Sequence, residues 1–156
     1  MRLRFGKSWF RARKRFTEEW ESAKALEAHM NRQAYVAKVE GDGEGLCCFV
    51  EFNNDYVGIG FLDEELREFL SYQFQELEQD RLFLTMATHR EFEGTSDTVR
   101  KGTSYYFKPN GQVTIESEDF EASRVTTRTT EADVSHNWDN YPKFGEYESI
   151  LRTERM

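Results

Sequence analysis

The sequence predicts an α+β domain: an N-terminal helix packed on a mostly antiparallel, meander-like β-sheet, with a short C-terminal helix. Three observations lead there. Apolar residues recur at helical spacing between residues 8 and 33. Short alternating segments follow, separated by Gly, Asn and Asp clusters as in hairpin-linked strands. One of those hairpins, Thr103 to Glu116, fixes its own register.

Residues 8–33 read as the helix, most clearly from Thr17 onward. Trp9, Ala12, Phe16, Trp20, Ala23, Glu27 and Met30 follow the stripe, with Leu26 beside it. Thr17 followed by Glu18, Glu19 and Glu21 resembles a helix start, where acids meet the positive end of the dipole. Ala34 to Glu40 then alternates as a strand. Gly41 to Gly45 is a hairpin loop; it has three glycines but no Lys-Ser/Thr and no following helix, so it does not read as a phosphate cradle. Leu46 to Phe52 and Tyr56 to Leu62 are the next strands. Gly58 and Gly60 share a face of the second, which predicts a bulge or an aromatic neighbour at close approach.

Asp63 to Gln79 fits both periods. Leu66, Phe69, Leu70, Phe74 and Leu77 suit a helix; Leu70, Tyr72 and Phe74 alternate. A strand from Arg81 to Phe92 begins almost at once afterwards, and that spacing favours a hairpin over a helix. In the hairpin at 103–116, Lys108-Pro109-Asn110-Gly111 fits a type I turn with glycine in the left-handed position. This pairs Phe107 with Val113 and Tyr105 with Ile115 on one face; a one-residue slip would mix the faces. Arg124 to Asp133 is a polar, Thr-rich strand suited to an edge or to a sheet with one wet face. Ser135 to Leu151 holds dense apolar anchors without a period, read as an ordered loop and then a short helix from about Glu146.

The net charge of −8 hides an asymmetry. Residues 1–16 carry seven basic residues and no acid, a basic N-terminal arm; residues 17–156 keep 14 of the 21 bases against all 29 acids, a single acidic domain. An acidic body repels nucleic-acid phosphates and favours basic partners, so only the arm remains a nucleic-acid candidate. No apolar run approaches the roughly 20 residues that span a bilayer. The N-terminus lacks the apolar core of a secretory signal; its arginines imitate a transit peptide, but with one Ser and no evident cleavage site.

Few residues point to chemistry. The two cysteines, Cys47 and Cys48, are adjacent on a strand, face opposite ways and suit a reducing compartment. His29, His89 and His136 lack metal-ligand spacing, so no metal, no cofactor and no catalytic residue is expected. A Cys48–His89 or Cys47–His136 nucleophile pair is one alternative. Another is a carboxylate-dependent hydrolase built on two of Glu51, Asp55, Asp63, Glu91, Glu93, Asp133 and Asp139. A third is an acidic adaptor or nucleic-acid mimic.

Two stretches carry a resemblance: Tyr105-Tyr-Phe-Lys-Pro-Asn-Gly-Gln-Val113, and Asp133-Val-Ser-His-Asn-Trp-Asp-Asn-Tyr-Pro-Lys-Phe-Gly-Glu-Tyr147. Together they resemble small cytosolic immunity proteins of bacterial polymorphic-toxin and contact-dependent inhibition systems. That resemblance implies a non-enzymatic cytoplasmic protein that binds one cognate toxin and blocks it. A compact acidic protein would be steered to the positive cleft of a basic nuclease toxin domain. The partner-binding candidates are then Glu116, Glu118, Asp119 and Glu121, with Asp133, His136, Trp138 and Asp139 as a second group supplying an aromatic anchor.

Overall fold

Four aromatic residues near the start of the chain are placed as mirror images. Phe5 and Trp20, and Trp9 and Phe16, stand equidistant from the Ala12–Arg13 bond. In the structure, a computed structural model that describes residues 1–43 and 45–155, this symmetry is that of a hairpin. Strands β1 (Arg2–Gly6), β2 (Trp9–Phe10), β3 (Arg15–Phe16) and β4 (Glu19–Trp20) form its two legs. Trp9 pairs with Phe16 and Phe5 with Trp20. Between these pairs the Lys7 amide donates to Glu18 O at 2.9 Å, and the Thr17 amide to Ser8 O at 3.0 Å.

This overturns the α+β expectation: the chain is β-rich. The helix expected over 8–33 shrinks to nine residues, α1 (Ser22–Met30). Trp9 and Phe16 are seven residues apart, a spacing that serves two helical turns and a mirrored cross-strand pair equally. Cross-strand pairing wins because it turns both rings onto the body, where they are buried. A β-carbon at Gly6 would collide with the Phe16 ring, so glycine lets the legs close. The expected C-terminal helix is likewise one 3-10 turn, Glu148–Leu151, which inserts Ile150 and Leu151 into the core.

From β5 (Tyr35–Glu40) the chain is a meander: β6 (Cys47–Asn53), β7 (Tyr56–Leu62), β8 (Glu68–Glu78), β9 (Arg81–Phe92), β10 (Val99–Phe107), β11 (Gln112–Asp119) and β12 (Arg124–Glu131). Each pairs antiparallel with the next. β1 lies on the free side of β5, with β4 beyond, and β12 is the far edge. A last short strand, β13 (Trp138–Asn140), pairs with the start of β9. Glu44, in the β5–β6 loop, and Met156 lie outside the described residues.

Several expectations hold in detail. Tyr105 pairs with Ile115 and Phe107 with Val113, and Gly111 takes φ +93°. The ambiguous segment 63–79 contributes a strand, because Asp80 at φ +57° closes a tight turn between Glu78 and Arg81. Thr-rich β12 is an edge, exposed along its whole length.

One face of the sheet carries the main core. Tyr35, Phe52, Val57, Ile59, Phe61, Tyr72 and Phe74 point there by two-residue alternation, and Ala25 and Ala28 of α1 cover them with Tyr147, Ile150 and Leu151. The Tyr35 ring lies flat on Phe52, centroids 4.7 Å apart. The Tyr35 hydroxyl stands 2.8 Å from His29 Nδ1 and 3.0 Å from the Tyr147 hydroxyl. Burying a side chain of this class is worth about 1.5–3 kcal/mol.

The basic stretch 1–16 joins the sheet through β1 and folds its tip as a two-stranded ribbon, and four of its seven basic side chains, Arg2, Arg4, Arg11 and Lys14, meet acids of the same molecule. Arg4 Nε donates to Glu19 at 2.8 Å, Lys14 Nζ to Asp97 at 2.9 Å, and the N-terminal amine to Asp42 at 2.9 Å. Exposed pairs of this kind are worth roughly 0–1 kcal/mol each, so Trp9 and Phe16 hold the hairpin down more than its ion pairs do.

Candidate functional site

The second face of the sheet is covered at only one end. Its register gives a continuous cross-strand row, Lys38–Phe49–Gly60–Ser71–Thr88–Ser104–Glu116–Thr127. The next row on the same face runs Glu51–Gly58–Gln73–Met86–Tyr106–Thr114–Thr129. Over Phe49 and Gly60 sits the tip of the N-terminal hairpin, with Trp9 stacked on Phe49. Toward β12 the face opens: Thr88 is buried, Ser71 and Ser104 are half-buried, and Glu116 and Thr127 are exposed.

Under the hairpin tip two carboxylates converge. Glu51 arrives by alternation along β6. Glu68 is brought beside it by a bulge where β7 meets β8, at Phe61 and Leu62. Gly58 and Gly60 form the floor: a β-carbon at Gly60 would overlap the Phe49 ring and the Glu68 carboxylate, and one at Gly58 would overlap the Tyr56 hydroxyl. The pair of glycines thus makes the close approach their spacing predicted.

Arg11, at the hairpin tip, spans both acids. Its Nη2 lies 2.7 Å from Glu51 Oε1 and its Nε 3.5 Å from Glu68 Oε1. Its guanidinium carbon sits 5.0 Å from the centroid of the Phe49 ring. These contacts are close but poorly aligned: Glu51 Oε1 and Glu68 Oε1 are buried atoms without a well-directed hydrogen bond. On the far side Arg90 Nη1 donates to Ser71 Oγ at 2.7 Å, and Ser71 Oγ donates to Glu68 Oε2 at 2.7 Å. Burial pushes the Glu51 carboxyl above its ordinary value against the pull of Arg11, and burial also raises the Tyr56 phenol. Two cavities, of about 300 and 160 Å³, flank Arg11, and Glu68 and Arg90 line both. The arrangement can hold a cation between two carboxylates and an aromatic wall.

The residues expected to bind a partner divide between the two ends of β11. Glu116 and Glu118 are exposed on the open second face. Asp119 faces the other way and caps the β11–β12 turn, its Oδ1 accepting from the amides of Glu121 and Ala122 at 3.1 Å, which hold it below the usual carboxylate range. Glu121 is exposed in that turn. At the opposite end, about 23 Å away along the strand, Asp133 caps the next turn by accepting from the Ser135 amide. His136 is exposed; Trp138 is half-buried, its ring 4.9 Å from that of Phe83. Asp139 is nearly buried, paired with Arg155 and lying 3.5 Å from Arg152. The structure therefore separates the two groups and gives Asp119, Asp133 and Asp139 structural partners.

Glu68, Arg11 and Arg90 escaped the sequence reading. The two glycines of β7 were the visible signal, since they announce that large side chains lie flat against that strand. Of the other carboxylates considered, Asp63 is occupied: it accepts from the amides of Glu65 and Arg67 and from Arg67 Nε, each at 2.9 Å. Cys48 and His89 share a core-face row but stand three strands apart, roughly 14 Å, so they form no nucleophile pair. Burial pushes the Cys48 thiol up to about 12. Among the described residues, no group of three or more His, Cys, Asp or Glu is placed to hold a metal ion, and no helix is long and apolar enough to cross a membrane. Comparison of the chain with protein-family models, curated proteins and solved structures gives no match.

Proposed function

We propose that this chain is a non-enzymatic immunity protein that binds a cognate, basic toxin domain in the cytoplasm and blocks it. The observation that carries the reading is the second face of the sheet. It is an extended surface with a hydroxyl floor, carboxylates at both ends and, among the described residues, no covering layer toward β12. Glu116 and Glu118 stand there beside Tyr106, which is 39 % exposed, and Val125, which is 58 % exposed. Exposed acids interleaved with apolar groups suit a basic protein partner: charge steers the encounter, and the apolar groups supply the buried contacts.

A polynucleotide partner fits less well. Four of the seven bases of residues 1–16 that the sequence offered for it, Arg2, Arg4, Arg11 and Lys14, are paired with the molecule's own acids. A carboxylate-dependent hydrolase is the second reading, favoured by the convergence of Glu51 and Glu68 on Arg11. Arg11 stands between those acids, so substrate would have to displace it.

The test is co-expression with the toxin encoded by the adjacent upstream reading frame. The native chain is expected to protect cells and to co-elute with the toxin on gel filtration. The double variant Glu116→Lys, Glu118→Lys is expected to fold normally and to lose protection. Failure of the native chain to protect or to form a complex overturns the reading.

A further inference from the structure

Four charged groups meet beneath the hairpin tip, and they balance: Glu51 and Glu68 against Arg11 and Arg90. The two arginines are held very differently. Arg90 is fixed in the sheet, its Nη1 donating to Ser71 Oγ at 2.7 Å and to Glu68 Oε2 at 3.3 Å. Arg11 hangs from the hairpin tip with a side chain 58 % exposed, and its contacts leave one oxygen of each carboxylate without an aligned donor. A buried carboxylate oxygen in that condition keeps a desolvation penalty that a better-directed donor would relieve.

We propose that Glu51 and Glu68 form a receptor site for a guanidinium group on an aliphatic stem, and that Arg11 is its internal, exchangeable occupant. The chemistry is specified by what surrounds the site. Two carboxylates approached from one side suit a planar fork of N–H donors better than a compact ammonium. The Phe49 ring, on which Trp9 is stacked, offers a face to a delocalised cation. The flanking cavities leave room for the stem without movement of the sheet. Charge balance makes the process an exchange. A second guanidinium entering with Arg11 in place would leave a net positive charge under the tip, so Arg11 swings outward as the ligand enters.

This inference rests on the proposed function only for the source of the guanidinium, which that reading makes an arginine side chain of the basic partner. In structural terms the hairpin then holds the place of the partner's arginine until the partner arrives.

The experiment titrates two probes, agmatine and the blocked tripeptide Gly-Arg-Gly, into the native chain, Arg11→Ala and Arg11→Met, following tryptophan fluorescence and amide NMR shifts at Glu51, Gly58 and Gly60. Both variants are expected to bind on the order of ten-fold more tightly than the native chain. Adding Glu51→Gln to either variant is expected to abolish the gain. Arg11→Met keeps the stem of the side chain, so the comparison stands if Arg11→Ala loosens the hairpin. Binding of the tripeptide supports a protein arginine as the ligand; binding of agmatine alone supports the guanidinium site and assigns it to a small molecule. Absence of any gain in both Arg11 variants, or a gain indifferent to Glu51→Gln, overturns the proposal. A positive titration with no toxin protection would leave this site standing and remove the immunity reading; protection with a flat titration would do the reverse.

Discussion

Trp9 lies on Phe49 with ring centroids 5.4 Å apart and planes inclined by only 20°. The contact joins the N-terminal hairpin to the middle of the sheet, and it buries Trp9 to 7 % exposure. Trp9→Ala is expected to cost about 3–5 kcal/mol, the usual range for emptying a large aromatic site. Urea unfolding measures it. A loss below about 1 kcal/mol would show that the ion pairs of Arg11 and Lys14 hold the hairpin instead.

Gly60 is the floor on which Phe49 and Glu68 rest. Gly60→Ala introduces a methyl group where both side chains already stand, and sheet backbone cannot retreat far. Overpacking of this kind costs roughly 1–3 kcal/mol. The same substitution at Gly102, which has open space, is expected to leave the thermal midpoint nearly unchanged. Equal effects at the two positions would contradict the close approach at Gly60.

Stability should respond to pH through Glu51. Burial, opposed by Arg11, raises its folded-state pKa, so the folded chain holds this proton more tightly than the unfolded chain does. The stabilising contribution is complete below the ordinary value of 4.5 and is lost as the pH rises through the higher folded value. Glu51→Gln lacks this loss. Its unfolding midpoint, relative to that of the native chain, is therefore expected to rise over the window that begins at the ordinary value of 4.5 and ends at the higher folded value. A constant difference across that window would contradict the upward shift.

Asp139 and Arg155 form a latch between β13 and the segment that follows the Glu148–Leu151 turn. The Arg155 side chain is 1 % exposed and also donates to His136 O and Ser149 O. Removing one partner of a buried pair costs about 3–5 kcal/mol. Asp139→Ala is expected to destabilise the fold by that amount, whereas Glu116→Lys is expected to leave stability within about 0.5 kcal/mol. Guanidinium denaturation of both variants separates a structural acid from a surface one.

The meander was legible because its signals are local. Residues 105–115 fixed their own pairing through Pro109 and Gly111, and alternation marked Ala34 to Glu40, Leu46 to Phe52 and Tyr56 to Leu62 as strands. The first twenty residues misled because a seven-residue interval between Trp9 and Phe16 satisfies two periods at once. Only the mirror placement of Phe5 and Trp20 distinguishes them, and periodicity alone does not test for mirrors. The carboxylate site was half legible. Glu51 and the two glycines stood out, but Glu68 reaches the site through a bulge and Arg11 from forty residues away in sequence. Neither relation is written in a short window. The acidic runs at 116–121 and 133–139 looked alike as composition; the structure distinguishes them because amide donors and Arg155 engage Asp119, Asp133 and Asp139, while Glu116 and Glu118 stay exposed.

The Tyr35–Tyr147 hydroxyl contact bridges 112 positions of the chain. Strands β5 to β12 pair in the order of their synthesis, so a nascent chain can add them hairpin by hairpin with little loop to close. Its aromatic interior nevertheless stays open on one side until Tyr147, Ile150 and Leu151 have left the ribosome. A stop codon placed just before them would release a nearly complete sheet with a wet, sticky underside, so residues 147–151 are the step that closes the aromatic interior.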